Sequence, residues 1–140
     1  MNLIERLKVN EGTVKAKGLH VPYKDSEGYL TIGYGILIDP AKGGGLYEDE
    51  AEYLLRNRAN KALTAAANYP YFSNLNENRQ SVLVEMIYNM GKSRVDGFKK
   101  MHAALFVGDY EDAAKEMLGS RWARQVKGRA DRLAEIMRTG

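Results

Sequence analysis

The stretch NEGTVKAKGLHVPYKDSEGYLTIGYGILI, residues 10–38, decides the fold of this chain. Two of its segments, 20–23 and 29–38, are rich in β-branched and aromatic residues, and the turn sequence KDSEG separates them. This pattern predicts a small β-hairpin or a three-stranded sheet. Gly33 and Gly35 interrupt the second segment, which indicates a bulge, a bend or the close approach of a ligand.

The chain on either side of the sheet has helical patterns. Leu3, Ile4 and Leu7 form the apolar stripe of a short helix that ends at Gly12, which places Glu11 in or just beyond the last turn. Residues 13–20 have no clear period and are predicted as a loop with some extended character. After the glycine loop, apolar residues at helical spacing predict helices over 48–68, 76–90, 95–107 and 110–118, and over 121–138 either one helix or two helices parted near Gly128.

The composition is that of one globular domain of 140 residues, with 44% hydrophobic and 28% charged residues, which excludes a disordered chain. The absence of cysteine excludes disulfides and thiolate metal sites. His20 and His102 have no third ligand at useful spacing, so we expect no metal and no cofactor. The charged N-terminus is unlike a signal peptide and no apolar run is long enough for a membrane span, so we expect synthesis in the cytoplasm.

The charge is unevenly distributed. The formal net charge is +3, and the segment 120–140 alone carries +4. Such a basic tail suits a polyanion, whether nucleic acid, an anionic membrane or a bacterial wall polymer, but it is equally the solvated face of a helix.

The carboxylates of the first stretch are the candidate catalytic groups. Glycoside hydrolysis needs an acid that protonates the leaving oxygen and a second group that places water or attacks the sugar. Glu11, at a helix end, is expected to be partly buried, which favours its protonated form, whereas Asp25 in a polar turn stays ionised. The Thr31 hydroxyl could then help to hold the water. On the residues alone, an Asx-turn at Asp25 and an ordinary strand position for Thr31 explain the pattern as well.

A longer ordered set of residues favours the catalytic explanation of Glu11, Asp25 and Thr31 over the structural one. Glu11-Gly12 is followed by YKDSEGYLTIGYG at 23–35, and this pattern resembles the Glu, Asp and Thr triad and the YxDxxGxxTIGxG signature of the phage T4-type lysozymes, the muramidases of glycoside hydrolase family 24. The resemblance extends through residues 49–52, 89–91, 97–98, 120–122 and 129–130 to the C-terminal RTG.

This resemblance implies an α+β, lysozyme-like fold over residues 1–140. A small lobe with the β-hairpin (about 12–48) and a larger helical lobe (1–11 and 49–140) would be joined by a long helix, with the active-site cleft between them. The implied reaction is hydrolysis of the β-1,4 bond between N-acetylmuramic acid and N-acetylglucosamine in peptidoglycan. It inverts the anomeric carbon, with Glu11 as general acid and Asp25 and Thr31 placing the water.

The resemblance also implies the partners and the setting. Leu37 and Tyr88 match positions that line the family's cleft and contact sugar, although Tyr88 in a helical stripe is equally a core residue. Arg129 would pair with Glu11. The expected protein is a monomeric endolysin that waits in the host cytoplasm until a holin-type protein opens the membrane, and then acts on the periplasmic wall. The basic C-terminal helix would contact the anionic envelope, and no nucleic-acid partner is expected.

The sequence departs from the family pattern in three places, and two other functions are also considered. The Glu11 to Asp25 gap is longer than in the T4 type by about five residues, Ile36 replaces a histidine that pairs with an aspartate, and the loop before the long helix is shorter. A lytic transglycosylase would act on the same bond with one acid and without water. A non-catalytic basic module would bind DNA or membrane through residues 121–138.

Overall fold

The structure is a computed structural model that describes residues 1–140. The chain forms two compact units, Met1–Glu52 and Tyr53–Gly140. Both are described below in chain order.

The first unit begins with helix α1, Leu3–Glu11. Asn2 and Glu5 form a capping box, in which each side chain accepts a hydrogen bond from the backbone N–H of the other. The helix ends at Gly12, whose φ of +65° suits glycine and whose N–H donates to the carbonyl of Lys8. These two ends fix Glu11 as the last helical residue, as the sequence predicted.

A two-stranded hairpin follows α1. Strands β1 (Lys15–Ala16) and β2 (Leu19–His20) pair antiparallel. Lys17 and Gly18, which connect them, both have positive φ, at +52° and +80°, as a two-residue hairpin turn with the twist of the strands requires. The prediction of a loop at 13–20 is therefore wrong, although its extended character is confirmed.

A three-stranded antiparallel sheet completes the β structure of this unit. Its strands are β3 (Tyr23–Lys24), β4 (Leu30–Ile32) and β5 (Ile36–Leu37), in the order β3-β4-β5. Thr31 lies in the middle strand, opposite Tyr23 on one side and Leu37 on the other. The three-stranded prediction is confirmed, and Gly33 and Gly35 belong to the turn that splits 29–38 into two strands.

Helix α2, Glu48–Ala66, starts in the first unit and continues into the second. It follows a short 3-10 helix, Pro40–Lys42, and the glycine loop. The remaining helices all lie in the second unit and are α3 (Glu77–Met90), α4 (Lys92–Asp96), α5 (Lys99–Phe106), α6 (Tyr110–Leu118), α7 (Arg121–Val126) and α8 (Gly128–Thr139). None of the helices is both long and apolar enough to cross a bilayer.

The hydrophobic core lies in the second unit. Its largest fully buried side chains come from α3, α4, α5, α6 and α8, and they are Leu83, Met86, Met101, Met117, Met137, Val82 and Val95. Trp122, 6% exposed, packs at the core, and its indole N–H donates to Asn89 Oδ1 at 2.7 Å. The burial and this hydrogen bond make Trp122 an anchor of the core.

One predicted helix is divided in the structure, and the alternative of two helices over 121–138 is observed. The single helix expected over 95–107 is divided into α4 and α5 at Gly97 and Phe98. The Phe98 backbone leaves the helical region, with ψ at +58°, and its ring meets the indole of Trp122 edge-on at 6.3 Å. The break near Gly128 is confirmed, since Lys127 separates α7 from α8 with φ at +33°. The helices and two small antiparallel sheets confirm the α+β class.

Candidate active site

Glu11 is presented at the end of α1 as a solvent-exposed side chain. Its carboxyl lies against Gly35 in the turn between β4 and β5. The expectation that Glu11 is partly buried is therefore wrong, because one face of the side chain contacts a glycine while the residue as a whole remains accessible.

Asp25 organises the turn between β3 and β4. Its Oδ1 accepts hydrogen bonds from the backbone N–H groups of Glu27 and Tyr29, each at 2.9 Å. Asp25 thus forms the Asx-type turn that the residues alone allowed. Both bonds use Oδ1, so Oδ2 keeps its lone pairs for another donor.

Thr31 is buried, at 4% exposed, in the middle strand of the sheet. Its hydroxyl donates to the carbonyl of Tyr29 at 3.1 Å. The N–H of Tyr29 donates to Asp25, and its carbonyl also accepts the N–H of Asp25 at 2.9 Å. The backbone of Tyr29 therefore links Asp25 to Thr31, and the structure brings these two predicted residues together.

Asp39 supports the same sheet and was not singled out from the sequence. Its two carboxylate oxygens accept the N–H groups of Leu30 and Ala41, each at 3.0 Å, which joins β4 to the short 3-10 helix. These backbone donors lower the pKa of Asp39 below its ordinary value of 3.8, with a smaller effect from Lys24. An Asp followed by Pro is a helix N-cap signal, and that signal could have identified it.

Leu37 and Tyr88 lie in different units. Half-buried Leu37 in β5 lines a cavity of about 480 Å³ with the glycine loop and Tyr47. Tyr88, 44% exposed, is on α3 and lines a groove of about 590 Å³ in the second unit, together with Arg129. Arg129 is bonded within that unit to Glu85 at 3.4 Å.

Both histidines have structural contacts. His20 Nδ1 lies 2.7 Å from the Thr13 hydroxyl. His102 Nε2 lies 2.8 Å from the Val95 carbonyl, which can only accept, so Nε2 carries a proton, and in the neutral ring Nδ1 then accepts from the Tyr71 hydroxyl. No group of three or more histidine, aspartate or glutamate side chains is arranged to hold a metal ion.

A second polar cluster lies beside His102. The Tyr69 hydroxyl donates to Asp96 Oδ1 at 2.6 Å, and Lys92 bonds both oxygens of Asp96 at 2.9 Å. Burial raises the pKa of Tyr69 and so does its bond to Asp96, while the Tyr69 hydroxyl and Lys92 lower the pKa of Asp96. The polar atoms of these three side chains are hydrogen-bonded to one another, and the cluster joins the turn after α2 to α4.

The sequence of this chain matches a known protein family. The sequence model of the phage lysozyme family matches residues 14–137, which include Asp25 and Thr31. The chain is 31% identical to the "Pre-baseplate central spike protein Gp5" of Enterobacteria phage T4 over 166 aligned positions. That alignment covers 100% of this chain, Glu11 included, but the chain spans only 28% of the spike protein's length.

Two relatives of similar size come from Dictyostelium discoideum. They are "Probable T4-type lysozyme 1" and "Probable T4-type lysozyme 2", each 28% identical over 145 positions. Each alignment covers 84% of this chain and 85% of the relative. Because the family match extends over most of its length, the chain belongs to the phage lysozyme family, of the T4 type, and has a lysozyme-like α+β fold.

Proposed function

We propose that the chain hydrolyses bacterial peptidoglycan at the β-1,4 bond between N-acetylmuramic acid and N-acetylglucosamine. The observation that carries the proposal is the shared support of Asp25 and Thr31 by the backbone of Tyr29, close in sequence to the turn on which Glu11 rests. Family membership adds support, since its members named above include T4-type lysozymes.

The hydrogen bonds of Thr31 determine how water would be held. The Thr31 proton is committed to the Tyr29 carbonyl, so its oxygen can only accept. Asp25 Oδ2 is also an acceptor when ionised. A water between them would donate both of its protons, which leaves an oxygen lone pair to attack the anomeric carbon. Asp25 would then take a proton as the general base.

Glu11 would act as the general acid and protonate the leaving glycosidic oxygen. In this scheme water attacks the anomeric carbon directly, on the face opposite the leaving group, so the product has inverted configuration. The exposed position of Glu11 allows the substrate oxygen to approach, and the contact of Glu11 with Gly35 restrains the carboxyl on one side. Leu37 and Tyr88 would contact the sugar rings.

The test is substitution of the acid with a matched control. Glu11→Gln removes the proton donor and keeps the size of the side chain, and we expect the rate of turbidity loss of permeabilised Gram-negative cells to fall by about 10²–10⁴-fold. Glu48→Gln removes an exposed carboxylate in the first turn of α2 and should retain the wild-type rate. Near-normal lysis by Glu11→Gln would reject the proposal.

The two alternatives make different predictions. A lytic transglycosylase has no use for a water held by Asp25 and Thr31, so it would keep its activity in Asp25→Asn and leave anhydro ends on its products. A basic binding module acting through residues 121–138 would keep its effect in Glu11→Gln and lose it at high salt, because its affinity would depend on released counterions.

The role in host lysis is a further part of the proposal. As a monomeric endolysin, the chain would accumulate in the host cytoplasm and reach the periplasmic wall once a holin-type protein opens the membrane. The basic face of α7 and α8 would assist contact with the anionic envelope. Co-expression tests this, since cells should lyse only when chain and holin are present together. The similarity to a spike protein, of which the chain matches only 28%, favours one other setting, in which the chain acts as one part of a longer phage protein.

A further inference from the structure

The backbone of Gly35 is in unusually close contact with Glu11. A β-carbon at position 35 would lie 2.5 Å from Glu11 Oε2, 2.9 Å from its Cδ and 3.1 Å from its Cβ. Ordinary contacts of a β-carbon begin at 3.4 Å, so the closest atom would be about 0.9 Å too near. Only a residue without a side chain allows the Glu11 carboxyl to occupy its observed position.

Backbone conformation alone does not explain this glycine. Gly35 has φ at +75°, a region that favours glycine, but Gly33 in the same turn has φ at +64°. A β-carbon at Gly33 would meet only Ile36 Cγ1, at 3.9 Å. The two positions share the conformational requirement, and only Gly35 has the contact with Glu11.

The crowding at Gly35 cannot be relieved by the carboxyl alone. Rotation about the outer bonds of Glu11 would move Oε2 and Cδ away, but the Glu11 Cβ itself would remain at 3.1 Å from the added carbon. A substituted residue 35 would therefore displace both the carboxyl and the end of α1 or the β4–β5 turn.

We propose that Gly35 is a positioning residue, whose bare backbone is the surface against which the Glu11 carboxyl is held at the reaction distance. The proposal rests on the proposed function of Glu11 as the general acid. A misplacement of a reacting group by about 1 Å lowers rates by roughly 10²-fold, so the shift expected from a single methyl group is large enough to measure.

The first experiment compares Gly35→Ala with Gly33→Ala on purified peptidoglycan. Gly35→Ala should lower kcat by about 10²-fold with KM nearly unchanged, because the acid is displaced while the sugar contacts remain. Gly33→Ala, which also places a β-carbon on a residue with positive φ, should keep kcat within a few-fold of the wild type. Equal loss of kcat in the two variants, or a change confined to KM, would overturn the proposal.

The second experiment needs no activity. Gly35→Ala and Gly33→Ala are each made in the wild type and in Glu11→Gly, and melting temperatures are measured for all of them. Gly35→Ala should lower the melting temperature clearly less in the Glu11→Gly background, where the carboxyl and the Glu11 Cβ are both absent, whereas Gly33→Ala should cause the same fall in both. If Gly35→Ala lowers the melting temperature equally in both backgrounds, Glu11 does not crowd position 35 and the proposal is wrong.

These readouts separate the two proposals. If Glu11→Gln remains active, the proposed function fails, while the melting-temperature cycle still reports on Gly35. If Gly35→Ala alone does not fold, the proposal requires the double variant with Glu11→Gly to regain the fold, and an unfolded double variant contradicts it.

Discussion

The start of helix α2 has half of a capping box, and completing it should stabilise the protein. The carbonyl of Tyr47 accepts the N–H of Ala51 at 3.0 Å, which makes Tyr47 the N-cap. The N–H of Tyr47 donates to Glu50 Oε1 at 2.8 Å, as the third residue of a capping box requires. The reciprocal bond needs a short side-chain oxygen at position 47, and a tyrosine carries its hydroxyl at the far end of the ring.

The substitution that supplies this oxygen is Tyr47→Thr. An N-cap hydroxyl contributes about 1 kcal/mol, and the ring of Tyr47 is 79% exposed, so its removal costs little. Unfolding entropy of about 2.1 cal/mol/K per residue then converts the gain into a rise of roughly 3 °C in melting temperature. Threonine is preferred to aspartate because Glu48, Asp49 and Glu50 already fill the first turn with negative charge.

Thermal unfolding followed by circular dichroism measures this effect. The control is Tyr47→Ala, which removes the same ring without adding an acceptor. We expect Tyr47→Thr to melt about 3 °C above Tyr47→Ala and above the wild type. A Tyr47→Thr variant that is no more stable than Tyr47→Ala would refute the reasoning.

Two further predictions concern the core and the sheet. Changing Leu83, which is fully buried on α3, to Ala should lower the free energy of unfolding by about 2–5 kcal/mol. Leu54→Ala, at a 42% exposed position of α2, should lower it far less in the same denaturation assay. Asp39→Asn should destabilise the protein at pH 7, because an amide offers one acceptor and one donor group to two N–H donors. The folded pKa of Asp39 is lowered, so its contribution is present above the ordinary value of 3.8 and lost as pH falls through the folded pKa. The difference between wild type and Asp39→Asn should therefore shrink in acid unfolding series, and a constant difference down to low pH would contradict the assignment.

Local patterns were sufficient to predict the elements of the first unit that depend on neighbouring residues. Asn2 and Gly12 delimit α1 through caps that need only adjacent backbone, and the KDSEG turn forms from Asp25 and its next four residues. The 13–20 hairpin was missed because its strands are two residues long, too short for an alternating pattern, and because Lys17 occupies a left-handed position that usually indicates glycine or asparagine.

Features that depend on distant residues could not be read from local patterns. Gly97 has helical φ and ψ of −71° and −12°, so it does not itself interrupt the helix. The break comes at Phe98, whose ring packs on Trp122, far along the chain. For the same reason the sequence suggested a helix end for Glu11 but not its exposure, and it gave no sign that Gly35 would lie against it.

The sequence motif names the candidate site residues but does not show which backbone groups hold them. Asp25 and Thr31 were identified from the ordered motif, whereas their common link through the backbone of Tyr29 follows from the register of β3 and β4. A turn-forming role and a water-placing role for Asp25 are also compatible with each other, because Oδ1 holds the turn and Oδ2 keeps its capacity to accept a hydrogen bond from water.

Mass spectrometry of the fragments released from purified peptidoglycan tests the central claim most directly. The wild-type chain should release muropeptides with hydrated N-acetylmuramic acid reducing ends, and Glu11→Gln should release almost none. Anhydro ends, lighter by one water, would contradict the hydrolytic role of Asp25 and Thr31. The same products from Glu11→Gln at the wild-type rate would contradict the assignment of the acid.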